Sequence, residues 1–517
     1  MPSEVRGFWA GAAADPDRVA LIDAAGREWS AAALLSGANQ LVHGLRARGM
    51  RTGDRIATLL PNGPELIQVL LATFQAGWHY TALNTHLTAP EVAHILGDAG
   101  VSAVIGHQRH GATFAAAADE AGVPVAGRIS VGDVAGCVPL ADVLERQPAT
   151  PPGDRIAGQF MQYTSGTTGH PKAVLRDLPP LEPEVWVRLY ASNLTRYDIT
   201  PGGDDVHLVT SPMYHMAPLA FGLLSLHFEH TVVLMDGWDP ETALTLIDRH
   251  RVTTTHMVPT QFHRLLLLDD QLRAKFDVSS LRNVMHAAAP CPVDTKRRML
   301  DWFGPVIYEY YGATEGGGTI ARPDEWLQHP GTVGRPWEGA DVRVLDDDGR
   351  DVPPGTVGTV YLKLLGDFEY KDDPEKTAAN RVDGYFTVGD VGELDDEGYL
   401  YLRDRKIDMI ISGGVNIYPA EVESSLLSHP AVGDVAVFGV PHDDWGEEVK
   451  AVVEPAAGWQ PGPDLVAELL EHCGSQLAAY KLPRSIDFVD ALPRDPNGKL
   501  YKRKLRDPYW AGRESRI

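Results

Sequence analysis

The first half of the chain alternates short apolar runs with stretches that carry apolar residues at helical spacing. Residues 55–60 form a predicted strand that ends at the turn sequence 61–64, and residues 65–76 have the apolar spacing of a helix. Strands that alternate with helices are typical of parallel β-α units, in which helices cover both faces of a sheet. The same pattern predicts strands at 79–83, 101–105, 206–210, 231–235, 253–258, 281–285 and 306–309. We therefore predict an α/β fold with a large N-terminal body of two similar, mainly parallel sheets layered with helices.

The pattern changes beyond residue 311. Short predicted strands at 341–345 and 359–364 lie between turns rich in glycine, proline and aspartate, which favours a small antiparallel β-barrel or ribbon. From residue 404 onward, helices and strands alternate over roughly 110 residues, enough for a separate domain. The predicted elements there are a helix at 420–428, strands at 432–440 and 448–453, and a helix at 464–477. We expect a small α+β C-terminal domain that begins near residues 403–407.

Composition limits the classes of partner. The 517 residues carry 46 basic and 70 acidic side chains, a formal charge of -24, which argues against nucleic acid or an anionic membrane as the main partner. The three cysteines, Cys137, Cys291 and Cys473, are far apart, which favours a reducing compartment without disulfides or structural zinc. No apolar run approaches the ~18 residues of a membrane span, and the N-terminus lacks an apolar signal segment. We expect a cytoplasmic protein without a membrane span.

A polar segment with two glycines, residues 163–172, stands out from this framework. Its glycines let backbone N–H groups approach an oxyanion closely, and its hydroxyls and final lysine add donors that tolerate negative charge. A Walker A loop would need another order of glycine, lysine and hydroxyl residues, so this is not an ordinary P-loop. A polar surface turn is the alternative. The candidate polyphosphate ligands are Thr164, Ser165, Gly166, Thr167, Thr168, Gly169 and Lys172.

Two carboxylates follow aromatic residues and glycines. Glu315 closes the sequence 308–315 after a predicted strand, where a carboxylate suits Mg²⁺, which bridges substrate phosphates through one or two carboxylates. Asp390 ends the sequence 384–390, and a carboxylate can accept both hydrogen bonds of a ribose diol. Taken singly, each is better explained as an acid in a solvated loop or turn. Their neighbours therefore decide the interpretation.

These segments resemble the motifs of the adenylate-forming, or AMP-binding, superfamily, which includes acyl-CoA synthetases, firefly luciferase and nonribosomal adenylation domains. Five motifs occur in the family's order between Tyr163 and Lys499. Two residues of the family's small-residue adenine wall, here His286 and Ala287, depart from its usual glycines. The resemblance implies magnesium at Glu315 and Thr167, a phosphate contact at Thr314, adenine against Tyr311 and Gly312 with a wall that includes Ala288, and ribose at Asp390 and Arg405.

The resemblance also assigns roles outside the nucleotide site. Gly413 and Gly414 would let a pantetheine arm pass close to the backbone. Lys499 matches the lysine that stabilises charge while a carboxylate attacks the α-phosphate. His215 lies in a segment similar to the one at the mouth of the family's acyl pocket. The alternatives are a solvated face for the lysine and a packed or solvated ring for the histidine.

The domain organisation that the resemblance implies has three parts. An AMP-binding N-terminal domain at 1–403 carries the ATP and acyl sites, residues 404–407 form a hinge, and a mobile C-terminal domain extends over 408–517. The small domain would swing about the hinge between two half-reactions. Ile407 stands where the family usually has lysine or aspartate as the pivot, so this chain departs from the pattern there.

The implied activity is that of an AMP-forming acyl-CoA synthetase with ATP, Mg²⁺ and coenzyme A as cosubstrates. A carboxylate attacks the α-phosphate to give an acyl adenylate and pyrophosphate, and a thiol then displaces AMP. Small or apolar candidates for the acyl pocket at 217–228, 287–289 and 316–318 favour a fatty acid, with aryl or steroid side-chain acids as alternatives. A ligase that loads a separate carrier protein, a luciferase-like monooxygenase and a non-catalytic nucleotide-binding homologue are the other hypotheses. The oligomeric state is left open, with a homodimer as one alternative.

Overall fold

The computed structural model describes residues 5–164, 172–313, 316–364, 369–370, 380–494 and 499–511, with the backbone alone at residues 164, 172, 192, 364, 369 and 370. The chain forms two compact units. The first comprises residues 1–256, 280–283 and 366–379, and the second comprises 257–279, 284–365 and 380–517. The division of the chain by a hinge at 404–407 stays a prediction.

Several helices begin with proline in the first turn, where its fixed φ suits a helix and its missing N–H is not needed. Within the described residues, no helix has the length and apolar character needed to cross a bilayer. The helices of the first unit are Phe8–Ala14, Ala31–Ala47, Pro64–Ala76, Ala89–Ala99, Gly111–Glu120, Leu140–Leu144, Pro183–Ala191, Met216–His227 and Pro240–His250. Those of the second are Pro259–Leu266, Asp270–Arg273, Val293–Phe303, Pro323–Gln328, Pro419–Leu427, Pro463–Gly474 and Lys502–Trp510.

The two larger sheets of the first unit are both mainly parallel, as predicted, whereas Gln162–Thr164, Lys172–Leu175 and Glu369–Tyr370 form a small antiparallel sheet. The first sheet has the order Val138–Pro139, Arg128–Val131, Ala103–His107, Arg55–Leu59, His79–Ala82 and Gln159–Phe160, with every pair parallel. In the second, Glu28–Ser30 pairs antiparallel with Val19–Ile22, which is followed by the parallel strands Thr231–Leu234, Val206–Val209 and Thr254–Met257. The predicted strand at 55–60 and helix at 65–76 are therefore present, within a residue of the predicted bounds.

The second unit contains the region in which the pattern was predicted to change. Here the strand Ile307–Ala313 pairs parallel with Asn283–His286 on one side and antiparallel with Gly316–Ala321 on the other. The strand Arg335–Pro336 then pairs antiparallel with Gly316–Ala321. An antiparallel sheet follows, in the order Arg381–Val382, Tyr385–Phe386, Gly358–Leu364, Asp390–Leu394 and Leu400–Arg405, with Ala340–Leu345 also on Gly358–Leu364. The antiparallel strands are confirmed, but the pairings among the described residues form an open sheet, so the predicted barrel does not close there.

The last sheet explains why the sequence near residue 435 is apolar without interruption. Its strands are Val415–Ile417, Ile410–Ser412, Gly446–Pro455, Val432–His442 and Ser485–Phe488. Side chains alternate between two buried faces: Val435 and Val437 pack in the core that also contains residues of the helices Pro419–Leu427 and Pro463–Gly474, whereas Phe438 packs with Leu492. A strand buried on both faces does not show apolar-polar alternation. The predicted α+β unit is thus built around one doubly covered hairpin.

Candidate functional site

Tyr311 lies near the end of the strand Ile307–Ala313, in the second unit. Beyond Glu309 the strand is less buried, so its end is accessible to a ligand. The Tyr311 hydroxyl donates a hydrogen bond of 2.7 Å to Oδ2 of Asp390, which is 79 residues away in the sequence. Two residues that the sequence assigned to one nucleotide are therefore in direct contact.

Asp390 begins the strand Asp390–Leu394 and pairs across the sheet with Arg405. Its Oδ1 lies 3.2 Å from Nε of Arg405, whose side chain is about half exposed. The carboxylate is thus held from two sides, by a hydroxyl on one oxygen and a guanidinium beside the other. A carboxylate has about four acceptor positions, so each oxygen retains capacity for a further hydroxyl donor. This arrangement suits a diol such as that of ribose.

The predicted adenine wall, residues 286–290, begins at His286, the last residue of the strand Asn283–His286. That strand is parallel to Ile307–Ala313 with His286 opposite Glu309, so the wall begins beside Glu309, two residues before Tyr311. Ala287 is buried, whereas Ala288 and Ala289 are exposed. Ala288 has φ 77°, a left-handed conformation that is uncommon for a residue with a Cβ. Such backbone outliers concentrate at ligand sites.

Trp337 and two glycines close the space next to Tyr311. A Cβ on Gly318 would lie 2.1 Å from the Tyr311 carbonyl oxygen and 2.4 Å from the Trp337 ring, so only glycine fits there. At Gly312, a Cβ would meet the same ring at 3.3 Å. Residues 316–318 were expected to leave room for a bulky acid. At Gly318 this expectation is wrong, because Trp337 fills the space that the missing side chain leaves.

A buried ion pair next to Tyr311 was not anticipated from the sequence. Lys296 Nζ donates to Glu309 Oε2 at 2.7 Å, and His286 Nε2 lies 3.4 Å from the same oxygen. The ammonium also sits 4.6 Å from the centre of the Trp326 ring. Burial alone would raise the pKa of Glu309, but Lys296 and then His286 outweigh burial and lower the pKa to about 2.

A signal for this pair was present in the sequence. Lys296 stands at helical spacing with Met299, Leu300 and Phe303, which are the apolar, buried face of the helix Val293–Phe303. A lysine on an apolar stripe is buried only with a partner, since an unpaired buried charge is costly. The stripe alone could have predicted a buried acid near Lys296.

The phosphate segment lies in the first unit. The strands Gln162–Thr164 and Lys172–Leu175 pair antiparallel, with Thr164 opposite Lys172. The backbone at both ends of the predicted loop is therefore set by a hairpin. The predicted ligands Ser165, Gly166, Thr167, Thr168, Gly169, Thr314 and Glu315 lie outside the described residues, as does the magnesium site predicted on two of them.

His215 is the residue before the helix Met216–His227, also in the first unit. Its carbonyl accepts from the Leu219 N–H at 3.2 Å, and its half-buried ring lies 4.6 Å from that of Tyr214. The helix that follows is apolar around most of its circumference and mostly buried. Its Phe221 ring is stacked with His207 and His256. Burial lowers the pKa of His207 to about 3, so that ring is neutral.

The C-terminal predictions fall on exposed positions of the second unit. Gly413 and Gly414, with φ 58° and 79°, form the turn between the strands Ile410–Ser412 and Val415–Ile417. Two consecutive positive φ angles are what a tight hairpin turn requires. A Cβ at either glycine would meet nothing within 4 Å, so their surface is open. Lys499 is exposed, and Ile407 is 42% exposed.

Comparison with known proteins agrees with these motifs. A family model described as AMP-binding enzyme matches residues 8–366, and one described as AMP-binding enzyme C-terminal domain matches residues 421–499. Feruloyl-CoA synthase from Amycolatopsis sp is 38% identical, over 90% of this chain and 91% of that protein. Long-chain-fatty-acid–CoA ligase FadD13 from Mycobacterium tuberculosis is 35% identical, over 92% of both. The structure of ATP-bound MatB from Rhodopseudomonas palustris has a TM-score of 0.82 at 32% identity, over 98% of this chain and 99% of that one.

Proposed function

Because this chain belongs to the family of AMP-binding enzymes, we propose that it activates a fatty or other largely apolar carboxylic acid and transfers it to coenzyme A. ATP-dependent adenylation of an acid, followed by thioester formation, is the activity of its relatives and of this chain. The identity of the acid and the roles of the individual residues are the parts that we propose. The observation that carries it is the contact of Tyr311 and Arg405 with Asp390.

Tyr311, Asp390 and Arg405 bind the adenosine part of ATP in this proposal. The Asp390 carboxylate accepts the ribose hydroxyls, and Tyr311 and Arg405 orient it. The Tyr311 ring and residues 287–289 enclose adenine. Because Asp390 is already fixed by two protein partners, little conformational entropy remains to be lost when the ribose binds.

The phosphates are assigned to the segment 164–172, whose hydroxyls, backbone N–H groups and Lys172 are donors to oxyanions. Glu315 and Thr167 supply a carboxylate and a hydroxyl, which fits the preference of Mg²⁺ for oxygen ligands. When bound, the ion would neutralise charge on the phosphates. Thr314 is assigned to a phosphate oxygen.

Two displacements complete the reaction. A carboxylate oxygen forms a bond to the α-phosphorus and the bond to pyrophosphate breaks, with Lys499 stabilising the charge between the two anions. The thiolate sulfur of coenzyme A then bonds to the acyl carbon, and AMP leaves. The exposed turn Gly413–Gly414 suits the approach of the pantetheine arm, because neither residue presents a side chain. Residues 408–517 act as the mobile domain, with 404–407 as the hinge.

The acid is assigned from the helix that follows His215. Residues 216–227 are almost entirely apolar and mostly buried, which supports an apolar acyl site near His215 and a fatty acid as substrate. An aryl acid is the second candidate, favoured by the stacked rings of His207, Phe221 and His256 and by the similarity to feruloyl-CoA synthase. A separate carrier protein in place of coenzyme A is the alternative acceptor.

The experiment is pyrophosphate release across a panel of acids from acetate to palmitate and from benzoate to ferulate, each with and without coenzyme A. We expect pyrophosphate with the longer fatty acids, and acyl-CoA only when coenzyme A is present. Turnover of acetate alone would remove the argument for an apolar acyl site. Pyrophosphate without acyl-CoA would favour the carrier protein as acceptor, and no pyrophosphate with any acid would favour a non-catalytic homologue.

A further inference from the structure

One buried carboxylate joins three elements that meet beside Tyr311. Glu309 is on the strand Ile307–Ala313, His286 ends the neighbouring strand, and Lys296 comes from the helix Val293–Phe303. Lys296 and His286 are fully buried, and Glu309 is 5% exposed. Because side chains alternate along a strand, Glu309 and Tyr311 project to the same side of it.

The same contacts connect the pair to residues 287–289. His286 is opposite Glu309 in the parallel register and immediately precedes this segment, in which Ala288 has its left-handed backbone. The helix that carries Lys296 begins a few residues after the segment. The segment is therefore anchored on both sides by residues that contact Glu309.

Stability alone does not account for such a pair. Removing two charges from water is costly, and apolar residues of similar volume often stabilise a protein as well as a buried ion pair does. An ion pair, unlike apolar packing, fixes the direction and distance of the groups that it joins. The cation is also held over the Trp326 ring, which restricts it further.

We propose that Lys296 and Glu309, with His286, form a positioning network that holds Tyr311 and residues 287–289 in the arrangement that receives the adenine of ATP. This inference rests on the proposed function, since it presumes that adenine binds at Tyr311. None of the three side chains touches ATP in this proposal. They act through Tyr311 and the segment.

The test replaces the pair with apolar residues in the double variant Lys296→Met/Glu309→Leu, which leaves no unpaired charge. We expect its melting temperature to stay close to that of the wild type, while its Kd for Mg·ATP, measured by calorimetry on the folded protein, rises about tenfold. The KM for the acid and kcat should change less than about threefold, since adenine is remote from the reacting atoms. The conservative variant Lys296→Arg should keep wild-type affinity for ATP.

The matched control is Arg155→Met/Glu184→Leu. Arg155 and Glu184 are also a largely buried ion pair, each with 20% of its side chain exposed, and Arg155 also packs over a tryptophan, Trp9. The control should not change the Kd for ATP. A Kd within twofold of the wild type in the Lys296/Glu309 double variant would overturn the proposal. Should that variant not fold, the variant Lys296→Met/Glu309→Gln, which also leaves no unpaired charge, is measured instead, with the same expected rise and the same refuting result.

The outcomes separate this inference from the proposed function. Wild-type protein that binds Mg·ATP but releases no pyrophosphate with any acid would refute the function and leave the network testable through the Kd. Wild-type protein that turns over an acid while the double variant binds ATP normally would refute the network alone. Failure of the wild type to bind ATP would refute both.

Discussion

Replacing Asp390 with asparagine tests the ribose site at the level of single atoms. The Tyr311 hydroxyl donates to Oδ2, and Arg405 lies beside Oδ1. Asparagine keeps the shape but converts one oxygen into an NH₂ group, which donates and cannot accept a ribose hydroxyl. A hydrogen bond to a charged group contributes about 1.5–3 kcal/mol, so we expect kcat/KM for ATP to fall about 10- to 150-fold.

The assay compares ATP with 2′-deoxy-ATP and 3′-deoxy-ATP by pyrophosphate release, in the wild type and in Asp390→Asn. The wild type should turn over ATP faster than either deoxynucleotide. The variant should turn over ATP and at least one deoxynucleotide at similar rates, because removing the ribose hydroxyl has little further effect once its acceptor on Asp390 is gone. The control Asp351→Asn, which removes an exposed partner of Arg343, should behave as the wild type. A variant that keeps the full wild-type preference for ATP would refute the assignment of Asp390 to ribose.

Three further predictions concern the second unit. Gly413→Ala places a Cβ on a residue with φ 58°, so the free energy of unfolding, measured by thermal unfolding, should fall by about 1 kcal/mol. The same variant should slow the thioester step more than pyrophosphate release, and equal slowing would contradict the role of the turn. Burial alone would raise the pKa of Glu309, but Lys296 outweighs burial and lowers the pKa from 4.5 to about 2. The free energy of unfolding, measured by denaturant titration, should therefore fall by up to about 3 kcal/mol as the pH falls from 4.5 to 2. That part of the loss should be absent when both residues are replaced by Met and Leu. Arg494→Ala leaves the buried Asp434 carboxylate without its bidentate partner. The free energy of unfolding should fall by about 3–5 kcal/mol in the same titration, and a fall of less than about 1 kcal/mol would contradict the claim that the buried carboxylate depends on Arg494.

Local sequence was sufficient for much of the fold. Residues 65–76 have apolar spacing, glutamate in the first turn and glycine after the last residue, and the helix Pro64–Ala76 ends at a left-handed Gly77. Strand runs such as 432–440 were also evident, although the strand extends to His442. The barrel predicted for the antiparallel strands does not close among the described residues, and the sequence could not show this because closure depends on pairings between distant strands rather than on any one strand.

The candidate site was predictable only where a motif carried it. Asp390 and Tyr311 were identified from separate motifs, and their hydrogen bond confirms that they lie together, while their binding of a nucleotide stays a prediction. The Lys296 and Glu309 pair has no motif, since the partners come from a helix and a strand that meet only in the folded chain. The Trp337 ring over Gly318 was missed for the same reason: a glycine in the sequence does not reveal what fills the space beside it.

The central claim is that the acid is activated as its mixed anhydride with AMP. The most direct measurement uses a fatty acid whose carboxyl oxygens are ¹⁸O, incubated with ATP, Mg²⁺ and coenzyme A, followed by mass spectrometry of the nucleotide products. We predict that AMP gains a single ¹⁸O atom for each thioester formed, because a carboxyl oxygen stays on the α-phosphorus when the thiol displaces AMP. Formation of ADP with ¹⁸O in inorganic phosphate, or of AMP without the label, would contradict it.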